Sequence, residues 1–272
     1  METTRFAPSP TGYLHLGHVY AAQVAREHGS TMLLRIEDID GTRATDTYAE
    51  AIFDDLRWLG VSWDGEVVRQ SNRMDAYSSA LRDLDSRGLV YPCFCTRKEI
   101  LASVEAPQGP EAPIYPGTCK ARTRTERKAL IESGAQYALR LDIGACNLPQ
   151  LHWEDADGTR HGTDSARIGD FVVARKETPT SYHLAVVIDD AFQEVTLVTR
   201  GRDLEDATHP QSVLQYLLGI TPPRYLHHAL VCDEAGRRLA KRDGDTAVRL
   251  LRERGWTPSR VWAEVERLLE TA

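Results

Sequence analysis

The stretch Arg5-Phe6-Ala7-Pro8-Ser9-Pro10-Thr11-Gly12-Tyr13-Leu14-His15-Leu16-Gly17-His18 restricts the fold more than any other part of the chain. It begins as a short strand, is broken by two prolines and a glycine, and passes into a helix read from about Leu16 to His28. Val19, Ala22, Val24 and Ala25 give that helix its buried side, and Gly29 stops it. A strand feeding a helix start places free N–H groups and the positive end of the helix dipole where a phosphate can sit. His15 and His18 lie on that first turn with Gly17 between them. A four-residue His-x-Gly-His motif recurs by chance, and a capped helix with two surface histidines satisfies it equally well. The remainder of the chain has to decide.

Thr31 to Ile36 is a β-type run ending in Glu37-Asp38-Ile39-Asp40, and open parallel sheets place ligand contacts at such strand ends. Helices follow at about Thr47 to Leu59 and Asn72 to Arg87, stopped by Gly60 and Gly88. Strand and helix alternating at this spacing predict a parallel α/β sheet. From Leu89 the rhythm changes. Cys93-Phe94-Cys95 leads to a proline- and glycine-rich loop, Ala106 to Gly117, then a basic helix, Arg122 to Ser133, and a strand-like piece, Tyr137 to Ile143. This reads as an insertion of antiparallel character over 89–180. Buried strands are expected at Tyr182 to Asp189 and Val195 to Arg200, and a helix near Pro210 to Leu218. A strand at Tyr225 to Val231, a charged loop from Asp233 to Gly244 and two helices within Thr246 to Glu270 complete the reading.

With 272 residues, 42% apolar and 27% charged, the chain has an ordinary globular composition. No apolar run approaches the ~20 residues that span a bilayer, and no secretory signal is visible, so a cytoplasmic location without a membrane is expected. The net charge of −7 weighs against indiscriminate nucleic-acid binding. Local basic clusters still matter, because screening acts over ~10 Å. Lys120, Arg122, Arg124, Arg127 and Lys128 form one, and Arg237, Arg238, Lys241 and Arg242 another; each fits a nucleic-acid contact or a solvated face. Cys146 and Cys232 read as small buried hydrophobes.

Four separated stretches together resemble the glutamyl-tRNA synthetase family of class I synthetases. They are the Arg5–His18 segment, Arg35-Ile36-Glu37-Asp38-Ile39-Asp40, Leu184-Ala185-Val186-Val187-Ile188-Asp189-Asp190, and Thr199-Arg200-Gly201-Arg202-Asp203-Leu204. Their order is right, and the resemblance covers nearly the whole chain. It is closest to the short glutamyl-queuosine tRNA(Asp) synthetase branch, through the Cys-x-Cys and Tyr-x-x-x-Cys pattern and an end just after the Lys241 loop. The resemblance implies an α/β fold: a Rossmann-type parallel-sheet catalytic domain, an inserted zinc-bearing α+β domain and a short C-terminal helical stem-contact region. The expected limits are 1–88 and 181–220 for the catalytic halves, 89–180 for the insertion and 221–272 for the stem-contact region.

By the same resemblance, the chain is expected to activate L-glutamate with ATP, aided by Mg2+, and to transfer it to queuosine in the anticodon of tRNA(Asp), acting as a monomer. His15, His18 and Lys241 match the catalytic positions, with Gly17 and Arg238 joining them in ATP binding. The lysine loop reads Arg238-Leu239-Ala240-Lys241-Arg242 where the family has Lys-Met-Ser-Lys-Ser, so Arg238 replaces the first lysine and both serines are gone. Glutamate needs two cationic partners and one anionic partner. Arg5, Arg200 and Glu37 match these, with Tyr182 and the Phe6, Ala7, Pro8 and Ser9 backbone lining the pocket. Cys93, Cys95, Tyr115 and Cys119 match a zinc set of three thiolates and one phenolate. The alternatives are a conventional glutamyl-tRNA synthetase acting on the tRNA 3' end and a non-catalytic tRNA-binding paralogue. A small nucleotidyltransferase would explain the ATP site but neither the glutamate pocket nor the cysteines.

Overall fold

The computed structural model describes residues 1–96, 98–100, 114–175, 178, 180–232, 239 and 247–270. The described chain runs β1 (Thr3–Phe6), α1 (Leu16–His28), β2 (Thr31–Ile36), α2 (Asp46–Trp58), β3 (Asp64–Arg69) and α3 (Met74–Ser86). It continues through β4 (Val90–Cys93), α4 (Arg124–Glu132), β5 (Ala138–Leu141), β6 (His152–Glu154), β7 (Arg160–Gly162), the one-turn α5 (Ser165–Ile168) and β8 (Val172–Arg175). Last come α6 (Tyr182–Phe192), β9 (Leu197–Gly201), α7 (Thr208–Leu217), β10 (Arg224–His228), α8 (Val248–Glu253) and α9 (Pro258–Glu270).

β1 pairs with β2, β2 with β3, and β9 with β10, all in parallel. The Thr196 N–H donates to the Thr3 carbonyl at 3.0 Å, and the Thr3 N–H donates to Thr196 Oγ1 at 2.9 Å. These bonds lay β9 beside β1, giving the spatial order β3-β2-β1-β9-β10. The order reverses between β1 and β9, and ligands of open α/β sheets bind in the crevice at such a reversal. Alternate residues of a strand face opposite ways. Met32, Leu34 and Ile36 accordingly join a core with Val19, Ala22 and Ala25 of α1 and Val261 and Val265 of α9, whereas Arg35 turns the other way to reach α6. Helices thus cover both faces. Gly29 permits the tight passage from α1 to β2, since a Cβ there would lie 2.3 Å from Thr4 Oγ1 and 2.7 Å from the Thr31 carbonyl.

Tyr182 to Asp189 is not a strand. It forms most of α6, whose Leu184, Ala185, Val186, Val187, Asp189 and Asp190 are all buried. A helix buried on most sides carries a continuous apolar run, which periodicity cannot separate from a central strand. Ser181 settles the helix start by accepting the Leu184 N–H on its hydroxyl. β3 has no counterpart among the expected strands, because its Asp64-Gly65-Glu66 start has no apolar signal.

Between α3 and α6 the character is antiparallel, with β4–β5–β8 forming one sheet and β6–β7 a hairpin. Leu89, Leu141 and Val173 from this part share a core with Leu84 of α3, Leu184 and Val187 of α6, and Val213 and Leu214 of α7. The basic helix is one turn shorter than expected, because Thr123 and Glu126 form a capping box at its start.

Asp55 on α2 is 3% exposed, and its Oδ2 has no hydrogen-bond partner among the described residues. Burial pushes its carboxyl up to about 6, against the pull of Arg249 and Arg252. From about pH 4 to about 6 the unfolded chain releases a proton that the folded protein keeps, so stability falls as pH rises through that window. Asp55→Asn is therefore expected to stabilise the fold at pH 8 by ~1–2 kcal/mol. Thermal denaturation at pH 8 and pH 4 checks this, with the gain vanishing at the lower pH.

Candidate active site at the strand-order reversal

A cavity of about 690 Å³ opens at the C-terminal ends of β1, β2 and β9. The loop after β1 is fixed by its carbonyls: Pro8 accepts the Glu37 N–H at 3.1 Å and Pro10 accepts the Thr45 N–H at 3.1 Å. Proline cannot donate, but its oxygen tethers this loop to the end of β2 and the start of α2. His15 is the N-cap of α1, its Nδ1 accepting the Gly17 N–H at 3.1 Å, while His18 Nδ1 accepts the His15 N–H at 3.1 Å. A nitrogen that accepts carries no proton, so both neutral rings hold theirs on Nε2. A Cβ at residue 17 would stand 3.0 Å from the His15 ring and displace it, which explains the glycine. Val248 donates its N–H to the Leu14 carbonyl at 2.8 Å, and Ala247 bridges to His15. Arg238 and Lys241 lie outside the described residues. Leu239, between them in sequence, is buried against the cavity and donates its N–H to Val231.

The deeper end of the cavity is charged. Arg5 donates from Nε to Asp190 at 3.1 Å and from Nη1 to the Thr199 carbonyl at 2.9 Å. Arg35, with no side-chain exposure, reaches Asp190 at 2.7 Å and Glu37 at 3.1 Å. Burial pushes the Glu37 carboxyl up, and Arg35 and Arg5 only partly offset it. For Asp190 the balance goes the other way: burial would raise it, but the same two guanidiniums hold it below the usual range. Arg200 differs from both arginines. Its Nε donates to His227 Nε2 at 3.1 Å, Nη1 to Gln211 Oε1 at 2.8 Å and Nη2 to Thr208 Oγ1 at 2.5 Å. All three acceptors are uncharged, and burial lowers the pKa of this guanidinium. Three guanidiniums thus face two carboxylates, leaving one positive charge over. Tyr182 stands at the same end, its hydroxyl kept protonated by burial and by Glu37.

The cysteine set forms a second centre outside this cavity. Cys93, Cys95 and Cys119 bring their sulfurs within 4.8 Å of one another. Cys95 Sγ is 3.5 Å from Cys119 Sγ and 3.6 Å from Tyr115 Oη. Ligands ~2.3 Å from a tetrahedral zinc stand ~3.7 Å apart, so these spacings fit the metal. Burial pushes the Cys95 thiol up to about 11. Burial would also raise Cys119, but hydrogen bonds from the Phe94 N–H, Tyr115, Cys95 and Arg122 bring it down to about 7.

The structure therefore gathers Arg5, Phe6, Ala7, Pro8, Ser9, His15, Gly17, His18, Glu37, Tyr182 and Arg200 around one cavity. Sequence reasoning assigned no role to Arg35 or Asp190, which hold Arg5 and Glu37 in place. An arginine inside the apolar run Met32-Leu33-Leu34-Arg35-Ile36 was the available signal, since a buried charge needs a buried partner. Gly201 and Asp203, quoted above only as part of a motif, and His228, Ala229, Leu230 and Val231 also line the cavity.

The family described as tRNA synthetases class I (E and Q), catalytic domain, matches residues 2–271. A glutamyl-Q tRNA(Asp) synthetase of Rhodobacter capsulatus is 46% identical, over 98% of this chain and 99% of the relative. One from Deinococcus radiodurans is 42% identical, over 98% of this chain and 88% of the relative. Among solved structures, the glutamate-tRNA synthetase of Elizabethkingia anophelis aligns with a TM-score of 0.73 at 28% identity. That alignment covers 90% of this chain and 53% of the other, so the chain spans about half the length of that enzyme. The chain belongs to the class I tRNA synthetases of the glutamyl and glutaminyl group, and within it to the short branch whose members are named glutamyl-Q tRNA(Asp) synthetase.

Proposed function

We propose that the protein joins L-glutamate to ATP, releasing pyrophosphate, and then transfers the glutamyl group to queuosine in the anticodon of tRNA(Asp). One observation carries the first step: the cavity has one surplus positive charge at the end opposite two Nε2-protonated imidazoles on a helix N-terminus. Glutamate has two carboxylates and one ammonium, a net charge of −1, which complements that surplus. Arg200 holds one carboxylate, Arg5 borders the other through Nη2, and Glu37 receives the ammonium. Tyr182 donates its hydroxyl within the same pocket. A carboxylate oxygen then attacks the α-phosphorus, and the bond to the pyrophosphate oxygen breaks. The protein supplies position and charge rather than covalent chemistry. His15 and His18 donate from Nε2 to the phosphate oxygens as negative charge builds, and Lys241, with Arg238, balances the leaving pyrophosphate. Mg2+ bound with ATP neutralises part of the same charge.

The second step rests on full-length similarity to relatives named glutamyl-Q tRNA(Asp) synthetase. In this reading residues 89–180 are the insertion domain, residues 221–272 are the stem-contact region, and the protein acts as a cytoplasmic monomer. Among the described residues no helix is long and apolar enough to cross a membrane. Labelled glutamate offered with tRNA(Asp), with and without queuosine, tests the transfer. Label that requires queuosine and stays on the anticodon fragment after nuclease cleavage of the tRNA supports it. Label on the 3' terminal adenosine of queuosine-free tRNA would show a conventional glutamyl-tRNA synthetase instead.

Cys93, Cys95, Cys119 and Tyr115 are the residues that would hold a structural zinc ion, which would clamp β4 to the segment around Tyr115. Protein purified without chelator is expected to contain about one zinc per chain. Cys119→Ser should lower that content severalfold and reduce the melting temperature, as elemental analysis and thermal denaturation would show.

A further inference from the structure

We propose that His227, held between Arg200 and Asp155, is a positioning residue that aims Arg200 at the substrate carboxylate. The inference deepens the glutamate reading and rests on it. Arg200 and His227 are direct partners in the parallel register of β9 and β10. Arg200 Nε donates to His227 Nε2 at 3.1 Å, so this ring nitrogen is bare and the proton of the neutral imidazole sits on Nδ1. Nδ1 faces Asp155 Oδ1 at 3.9 Å, and the other oxygen of that carboxylate, Oδ2, lies 2.6 Å from His161 Nε2.

Asp155 follows β6, outside the parallel sheet, yet the hairpin is locked onto β10. Ala156 donates its N–H to the Tyr225 carbonyl at 2.8 Å, and Arg224 Nη1 donates to the Ala156 carbonyl at 2.8 Å. Trp153 stacks on His161 at 4.1 Å and meets Tyr225 edge-on at 5.7 Å, closing an apolar wall behind the imidazole. Tyr225 in turn lies under the Arg200 guanidinium at 5.1 Å. The side chain of His227 is 7% exposed, so water does not readily replace it as the acceptor. Burial, reinforced by the neighbouring Arg200, lowers its pKa to about 4, in keeping with an acceptor imidazole at neutral pH. Gln211 and Thr208 fix the two Nη atoms of Arg200, and His227 fixes Nε; together they leave the fork one orientation. The β6–β7 hairpin thereby shapes a pocket that it does not line.

Glutamate-dependent pyrophosphate exchange by the full chain, without tRNA, tests this. His227→Ala strands a buried charged donor, and the KM for glutamate should rise by ~10- to 100-fold, the worth of one hydrogen bond to a charged group. The KM for ATP should not change, which also shows that the variant is folded. His227→Gln, whose amide oxygen reaches the Nε2 position, should restore most of the glutamate affinity. Asp155→Ala should have a smaller effect in the same direction, because its contact is longer. A wild-type glutamate KM in His227→Ala, or equal impairment in His227→Gln, would overturn the proposal. Absence of glutamate-dependent exchange in the wild type is a separate result, which would remove the glutamate reading and this inference together.

Discussion

Arg200→Leu is expected to abolish glutamate-dependent adenylate formation while leaving the melting temperature close to that of the wild type. The two halves of this expectation have one cause. Among the described residues Arg200 is bonded only to neutral groups, so its removal leaves no carboxylate unpaired, and the three acceptors it orphans are offset by no longer burying the guanidinium itself. For the substrate the loss is larger, because the surplus charge disappears and a glutamate carboxylate would be buried without a cation. An unpaired buried charge costs ~3–5 kcal/mol, which corresponds to a fall of ~10²–10⁴ in kcat/KM for glutamate. Exchange kinetics combined with nucleotide binding and thermal denaturation check it. An Arg200→Leu variant that activates glutamate normally, or that unfolds, would contradict the assignment.

Arg35→Met has the opposite signature. Arg35 is fully buried between Asp190 and Glu37, and methionine would leave Glu37 without its ion-pair partner and Asp190 with Arg5 alone. Breaking a buried pair by removing one member costs ~3–5 kcal/mol, a large share of a typical domain's stability. Equilibrium urea unfolding at pH 7.5 should show this loss. The deficit should shrink on acidification, because burial already raises the Glu37 pKa and a proton on Glu37 removes the stranded charge. Activity would fall too, but as a consequence of instability. The two arginines thus separate what holds the pocket from what the pocket holds.

The sequence was readable wherever local rules and global packing agree. The Arg5–His18 segment, followed by Gly29 after the helix, places α1 to the residue, whereas β1 begins two residues before it, at Thr3. Tyr182–Asp189 was misread because a buried helix and a central strand share an apolar run, and only the Ser181 cap distinguishes them. The site was legible as a list of charged residues at motif positions. Which arginine carries the spare charge was not, because that depends on contacts such as Arg5 with Asp190, 185 residues apart in sequence. The role of His227 was equally hidden, since its partners come from β9 and from the turn after β6.

The central claim is that one cavity combines a phosphate-binding helix start with an amino-acid pocket carrying one excess positive charge. ATP–pyrophosphate exchange without tRNA, measured in parallel with L-glutamate and L-glutamine, tests it most directly. Exchange with glutamate and little or none with glutamine, which has no net charge to match the surplus, is the predicted result. Equal exchange with both amino acids, or none with glutamate, would contradict it.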